Sequence, residues 1–226
     1  HALLIGIDTT CGVDPVFIDD HMAGSASAGA AEIGVDPYLL PLRSGRVLCF
    51  MVIDDTSLGI FASDDDGATW FPFAEPVRNA DSKLEDGKAI ELPNGDLLYA
   101  YEAEPEEHGP SSIMMLRSAD GGQTWTPPES LWNPHFPADV EPGGFVLDAT
   151  GALLFFVSSN EEPSAQGASY TGARVRALVS HDSGASWRMY GPVVDEPNQI
   201  VFHAFPLSNG GMGLLTIRHW IAGHRA

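Results

Sequence analysis

Residues 63–70 read "SDDDGATW", three aspartates, a glycine and a threonine set ahead of one tryptophan. The stretch is too polar for a strand and more elaborate than a surface loop needs. It recurs as "SADGGQTW" at 118–125 and "SHDSGASW" at 180–187. The shared pattern is S-x-D-x-G-x-[ST]-W, and serines 63, 118 and 180 stand 55 and 62 positions apart. Five matched positions in three copies at near-constant spacing mark a structural repeat. Asp and Ser side chains bond backbone N–H groups inside a turn, and glycine supplies a φ that other residues resist. The tryptophan then folds onto a neighbouring unit and buries a large area beside the turn. Three equivalent clamps are expected: Ser63, Asp65, Gly67 and Trp70; Ser118, Asp120, Gly122 and Trp125; Ser180, Asp182, Gly184 and Trp187.

A second repeat precedes the first. "LPLRSGRVLCFMV" (40–52), "IELPNGDLLYAYE" (90–102), "FVLDATGALLFFV" (145–157) and "FPLSNGGMGLLTI" (205–217) each show apolar run, glycine-containing turn, apolar run. That is a β-hairpin signature. The first three lead through "SLGIFAS", "SSIMMLRS" and "RVRALVS" into the Ser–Asp turns. One unit is therefore strand A, tight turn, strand B, loop, strand C, Ser–Asp turn and strand D, beginning at the tryptophan. Repeated four-stranded antiparallel units are propeller blades. The expected fold is all-β, one propeller domain over 1–226. Its blades lie near 36–80, 86–133 and 139–195, with a partial blade from 198. Residues 1–35 hold the end of a preceding blade, with "AGSASAGAA" (23–31) as a mobile loop.

Composition narrows the function. The 226 residues carry 31 acidic against 11 basic side chains, a formal net charge of -20. Such a surface repels phosphate backbones, so nucleic-acid binding is not expected. No apolar run approaches the ~18 residues of a membrane span. Cys11 and Cys49 form no disulfide framework and no metal site, and read as buried thiols. No cofactor or metal is expected. The chain begins at His1 without a basic leader region. The reading is that its natural N-terminus lies upstream, so a secreted or cell-surface location stays open.

The Ser–Asp turns resemble the Asp-boxes (BNR repeats) of the sialidase, or neuraminidase, superfamily, and the resemblance runs from Asp36 to Arg225. Asp-boxes also occur in sortilin-type receptors, reelin repeats and some glucanases, so they specify the fold more strongly than the reaction. The hairpin form Leu-x-x-Gly-x-Leu-Leu is closer to sialidases. The family fold is a six-bladed propeller, which makes roughly four blades a fragment of the full ring.

Strands alternate in direction, so A–B turns and Ser–Asp turns share one rim. B–C loops and D–A connections share the other, where the resemblance puts the site. B strands end there in Asp54 and Asp55, Glu102 and Glu104, Asn160 to Glu162, and Arg218 with His219. A strands are entered through Asp36, Lys88, Asp139 with Glu141, and Glu196 with His203. The family carries three arginines for a substrate carboxylate, an aspartic acid/base, and a tyrosine nucleophile assisted by a glutamate. The tyrosine departs from the two-carboxylate scheme of most glycosidases.

Carried over, Arg218 matches an arginine ending a B strand, with Glu196 or Glu141 as the accompanying glutamate. Glu141 has the better offset, but its blade has Ser158 where an arginine is expected. Lys88 in "KAIEL" replaces an arginine and keeps its charge without the fork geometry. Glu104 stands where another arginine is expected. Glu102 and Asp55 complete the candidate catalytic set; Lys88, His203 and His219 are the substrate-binding candidates. The run Glu102, Glu104, Glu106 and Glu107 also reads as a solvated acidic loop, and Arg218 as an inter-blade ion pair. Tyr99, Tyr101 and Tyr170 read as packing residues, and His181 has no role. The leading expectation is an exo-α-sialidase-like glycoside hydrolase acting on a glycan or glycoconjugate. The alternative is a propeller that binds a neutral glycan, a cation or a protein partner.

Overall fold

Four hairpin turns share one backbone design. In each, a backbone N–H at the strand end bonds the carbonyl four residues on: Leu42 to Arg46 and Leu92 to Asp96 at 2.8 Å, Asp148 to Ala152 at 2.9 Å, Leu207 to Gly211 at 2.8 Å. A glycine at the fourth position (Gly45, Gly95, Gly151, Gly210) has φ between 80° and 94°. Only a residue without Cβ takes that conformation cheaply, so the glycine fixes the turn.

The computed structural model describes residues 2–5, 15–18, 35–105, 111–131, 140–160 and 172–218. The "AGSASAGAA" stretch, Cys11 and Tyr170 lie outside these. Two short strands, β1 (Ala2–Ile5) and β2 (Pro15–Ile18), pair antiparallel. Three four-stranded antiparallel sheets follow. The first is β3 (Val35–Pro41), β4 (Val47–Val52), β5 (Leu58–Ser63) and β6 (Phe71–Val77). The second is β7 (Ser82–Glu91), β8 (Leu97–Pro105), β9 (Ser112–Ser118) and β10 (Glu129–Ser130). The third is β11 (Val140–Leu147), β12 (Leu153–Ser159), β13 (Arg174–Ser180) and β14 (Arg188–Val194). A last pair joins β15 (Gln199–Pro206) to β16 (Met212–Arg218).

Strand D starts after the tryptophan, not at it. In the second sheet it shrinks to two residues, because Pro127 and Pro128 have no N–H to give the ladder. β7 begins at Ser82, ahead of the expected 86, because a bulge between Glu85 and Lys88 lets pairing resume beyond it.

Successive A strands pack side by side, β3 on β7, β7 on β11 and β11 on β15. "EPGG" (141–144) makes the last approach possible, since a Cβ on Gly143 would overlap the Val201 side chain. Between the first and second sheets lie Leu48, Phe50, Val52, Tyr99 and Tyr101. Phe50 and Tyr99 stack at 4.6 Å, worth about 0.5–1.5 kcal/mol beyond their area. Between the second and third lie Leu98, Ala100, Ile113, Phe145 and Phe155. Val146, Phe156, Val175, Val201 and Ala204 fill the next interface. Tyr99 and Tyr101 are thus packing residues, and Cys49 is buried.

The three Ser–Asp turns share one set of hydrogen bonds. Each serine Oγ accepts the glycine N–H at 2.8 Å. Each aspartate accepts the serine hydroxyl and the N–H of Thr69, Thr124 or Ser186, at 2.7 to 2.9 Å. Each tryptophan Nε1 donates back to the glycine carbonyl, at 2.9, 2.9 and 3.1 Å. Asp66, Gly121 and Ser183, just before the glycines, also have positive φ of 57°, 72° and 59°. Short polar residues and glycine tolerate that region best. Trp70 is buried; Trp125 and Trp187 are half-buried and pack against the interfaces between sheets.

Candidate functional site

On the rim opposite these turns, the alternation of β8 sorts its side chains. Tyr99, Tyr101 and Ala103 face the first sheet; Leu98 and Ala100 face the third. Glu102 continues the second series as its last buried member, and the next, Glu104, is half-buried. Across the ladder its partner is Glu85 of β7. Like charges placed directly opposite repel, so this pairing is not there for stability. The β7 bulge turns Asp86 to a φ of 48° and seats Gly87 beneath the Tyr99 hydroxyl. Lys88 then emerges opposite Ala100, on the flank that faces the third sheet. From that sheet β11 brings Glu141 to the same rim. The hydroxyl of Ser111, at the entrance to β9, accepts the Val140 N–H at 3.0 Å and ties the two sheets beside Glu102.

Electrostatics single out Glu102. It is 4% exposed, and its Oε2 has no hydrogen-bond partner among the described residues. Burial pushes its pKa up to about 8; a hydrogen bond from Ser111 opposes the shift, and Glu141, Glu85 and Asp86 add to it. Asp86 is raised by burial against the pull of Lys88. Lys88 is lowered by burial, with Asp86, Glu141 and Asp36 pulling the other way. A carboxyl that keeps its proton near neutral pH can donate it to a leaving oxygen. Among the described residues, no group of three or more His, Cys, Asp or Glu is placed to hold a metal ion.

No family model matches the chain. In sequence it is similar to a sialidase of Clostridium perfringens, 24% identical over 62% of this chain and 36% of that protein. In structure it is similar to a Hadza microbial sialidase (TM-score 0.57, 17% identity, 83% of this chain, 45% of that one). It is equally similar to an alpha-L-arabinanase of Penicillium chrysogenum complexed with arabinobiose (TM-score 0.57, 18% identity, 79% and 56%). An alpha-L-arabinofuranosidase of Fusarium graminearum matches at a TM-score of 0.59, with 18% identity over 78% of this chain and 54% of that one. The fold is that of the sialidase-type propellers. The chain spans little more than a third of the curated sialidase it matches and about half of these structures.

The propeller brings together three of the candidates, Glu102, Glu141 and Lys88. Glu102 is not part of a solvated loop; it closes an interface core. Glu106 and Glu107 lie outside the described residues. Asp55 is exposed in the B–C turn of the first blade with a φ of 49°. It gives its carbonyl to the Leu84 N–H, and its charge acts on Lys83. Glu196 is exposed between β14 and β15. His203 is exposed within β15, its ring 6.1 Å from Phe205. Arg218 ends β16 opposite Gln199, exposed, and no acidic side chain pairs with it among the described residues. His219 lies outside those residues. Ser158, where an arginine was expected, accepts the Val201 N–H at 2.7 Å and ties two blades.

Three neighbours went unread in the sequence. Glu85 and Asp86 sit in "LEDGKAI", where a glycine inside a strand signals a bulge. Counting back from the Asn94-Gly95 turn with one extra residue sets Glu85 opposite Glu102. Arg176 lies on a C strand, where no rim arginine was sought. It is buried on the flank facing the second blade and donates from Nε to Ser159 Oγ at 3.1 Å.

Proposed function

We propose that the protein is a glycoside hydrolase in which Glu102 is the general acid and Glu141 the ionised partner, acting on a glycan whose terminal sugar is uncharged. The observation that carries this reading is the Glu102 carboxyl, buried at the end of an interface core with Oε2 unpartnered among the described residues, where burial pushes its pKa up to about 8. Glu102 would donate its proton to the glycosidic oxygen as the bond to the anomeric carbon breaks. The Glu141 carboxylate would stabilise the positive charge on the ring, by attack or by activating water.

Charge argues for the neutral sugar. Asp36, Glu85, Asp86, Glu102 and Glu141 act on one another on the rim where the resemblance puts the site, with Lys88 among them. A substrate carboxylate entering that field meets repulsion. The arabinanase similarity fits a neutral sugar. A second reading, hydrolysis of sialosides, is supported by the Clostridium perfringens similarity and by the exposed Arg218, free to clamp a carboxylate.

Fluorogenic glycosides decide between them: a sialoside, an arabinofuranoside and a set of neutral hexopyranosides, assayed from about pH 5 to 9. Turnover of a neutral glycoside, lost in Glu102→Gln, is the expected result. Turnover of the sialoside alone, abolished by Arg218→Lys, would establish the second reading. No turnover of any of them would leave a binding propeller and overturn both.

A further inference from the structure

The three clamps repeat, but what stands beside them does not. Between the first and second blades the groove is filled. Phe71 and Phe73 of β6 meet there edge to face at 6.3 Å, and the Arg46 guanidinium caps Phe73 at 4.8 Å. Phe73 reaches the clamp glycine of the second blade: a Cβ on Gly122 would stand 3.5 Å from its ring and 3.0 Å from Leu48. The next groove has different residues at the same places. Counted from the turn glycines and from the clamp serines and tryptophans, Asp96 replaces Arg46, Arg117 replaces Ala62, Thr126 replaces Phe71 and Glu129 replaces Ala74. The ladders agree, since Ile60 faces Ala74 and Met115 faces Glu129.

Thr126 and Pro128 stand where Phe71 and Phe73 do, so the aromatic filling is gone. A cavity of about 370 Å³ is left, within the range of small-ligand sites. Arg117 lies along it and is held in place, donating to Asp96 at 2.8 Å and to the Ser183 carbonyl. Trp187 lines the third-blade side; its Nε1 is engaged by the Gly184 carbonyl at 3.1 Å, so it offers the cavity apolar ring alone. Thr126 and the exposed Glu129 line the second-blade side. An apolar ring facing a hydroxyl and a carboxylate suits a sugar, which has a face of C–H bonds and an edge of donating hydroxyls. Charge selects a neutral one. Arg117 is already matched by Asp96, and Glu129 repels a carboxylate.

We propose that this cavity is a second glycan site, which holds one neutral sugar ring against Trp187 with its hydroxyls on Glu129 and Thr126. It lies beside the third clamp and the Leu98 end of β8, whereas Glu102 lies towards the other end of that strand. The proposal therefore does not rest on the assignment of Glu102. A second hold of this kind raises the local concentration of a long or branched glycan around the protein.

The test is a titration of the Trp187 indole N–H resonance by 1H–15N NMR with arabinobiose, lactose and a methyl sialoside, using Glu102→Gln for any probe that wild type cleaves. Arabinobiose or lactose, up to about 20 mM, should shift that resonance along a saturable curve, and the methyl sialoside should not. Thr126→Phe and Glu129→Ala each install the residue of the first blade. The first should abolish the shift, and the second should weaken binding by about tenfold or more. Should Thr126→Phe fail to fold, the exposed Glu129→Ala decides. No shift with either neutral probe, a shift unchanged in the variants, or a response to the methyl sialoside alone would overturn the proposal. Glycoside turnover should be the same in both variants as in wild type; a protein that binds these sugars at Trp187 yet turns over no glycoside would overturn the Glu102 reading and leave this one standing.

Discussion

The two rims of the propeller carry the same chemical group, the carboxyl, and treat it in opposite ways. On the turn rim Asp120 and Asp182 are exposed and held down at about 2, chiefly by the hydroxyls and N–H groups of Thr124 and Ser186 and by the hydroxyls of Ser118 and Ser180. On the other rim burial drives Glu102 up to about 8. One rim surrounds its acids with donors; the other leaves Oε2 of a buried acid without one among the described residues. Arginines also join the blades on the turn rim. Arg43 reaches from the first blade to Glu91 and the Leu92 and Pro93 carbonyls of the second, and Arg117 bridges Asp96 and the Ser183 carbonyl of the third. These ties serve the turn rim. The turn rim also repeats from blade to blade, while the other changes at every blade. Repetition holds the ring together, and the departures from it are where a specific chemistry can reside.

The largest effect expected from breaking this contrast is at Glu102. Glu102→Gln removes the transferable proton but keeps the shape, and should lower kcat by about 10²–10⁴-fold. The same variant should report the raised pKa as stability. A carboxyl whose folded pKa lies above its ordinary value of 4.5 contributes fully below that value and loses its contribution as pH rises to about 8. Glutamine does not titrate. Urea unfolding should therefore show the variant gaining on wild type between pH 5 and 8, by on the order of 3–5 kcal/mol.

An intermediate effect is expected at the turns. Asp120→Ala leaves the Thr124 N–H and the Ser118 hydroxyl without their acceptor, and should lower Tm by about 2–6 °C near neutral pH. The sign of its pH dependence is opposite to that of Glu102. A depressed carboxylate contributes above its ordinary 3.8 and is lost as pH falls through about 2, so the deficit should fade in acid.

The smallest effect is expected at Asp64, which pairs with Arg46 through two contacts of 2.7 and 2.9 Å in solvent. Asp64→Asn should shift Tm by no more than about 1 °C, as for other exposed ion pairs. A shift as large as that of Asp120→Ala would mean that the turn rim is held by its charges and not by its turn bonds.

The contrast also explains what the sequence made legible. The clamps were readable because each is a local device, closed within eight residues from Ser63 to Trp70 and repeated twice more. The hairpins were readable because apolar runs flank a glycine that only one turn geometry allows. The site was not readable in the same way. Glu102 looked like part of an acidic loop, since nothing in "YAYEAE" announces that one of its glutamates closes a core while the next lies at the rim. That distinction depends on pairing across β7 and on the blade that packs against it. Glu85 and Asp86 were hidden by a bulge that shifts the register by one residue. Arg176 was hidden because burial of an arginine reflects tertiary packing. Arg218, picked by family pattern, is exposed at the end of β16, opposite Gln199.

The central claim is that a glutamate on the non-repeating rim stays protonated where ordinary carboxyls do not. The most direct measurement is a 13C NMR titration of the Glu102 side-chain carboxyl in the substrate-free protein, assigned by comparison with Glu102→Gln. The account expects a midpoint near 8, well above Asp120 and Asp182 of the turn rim. A midpoint at the ordinary value of about 4.5 would contradict it, because Glu102 would then be ionised at neutral pH and unable to serve as the acid.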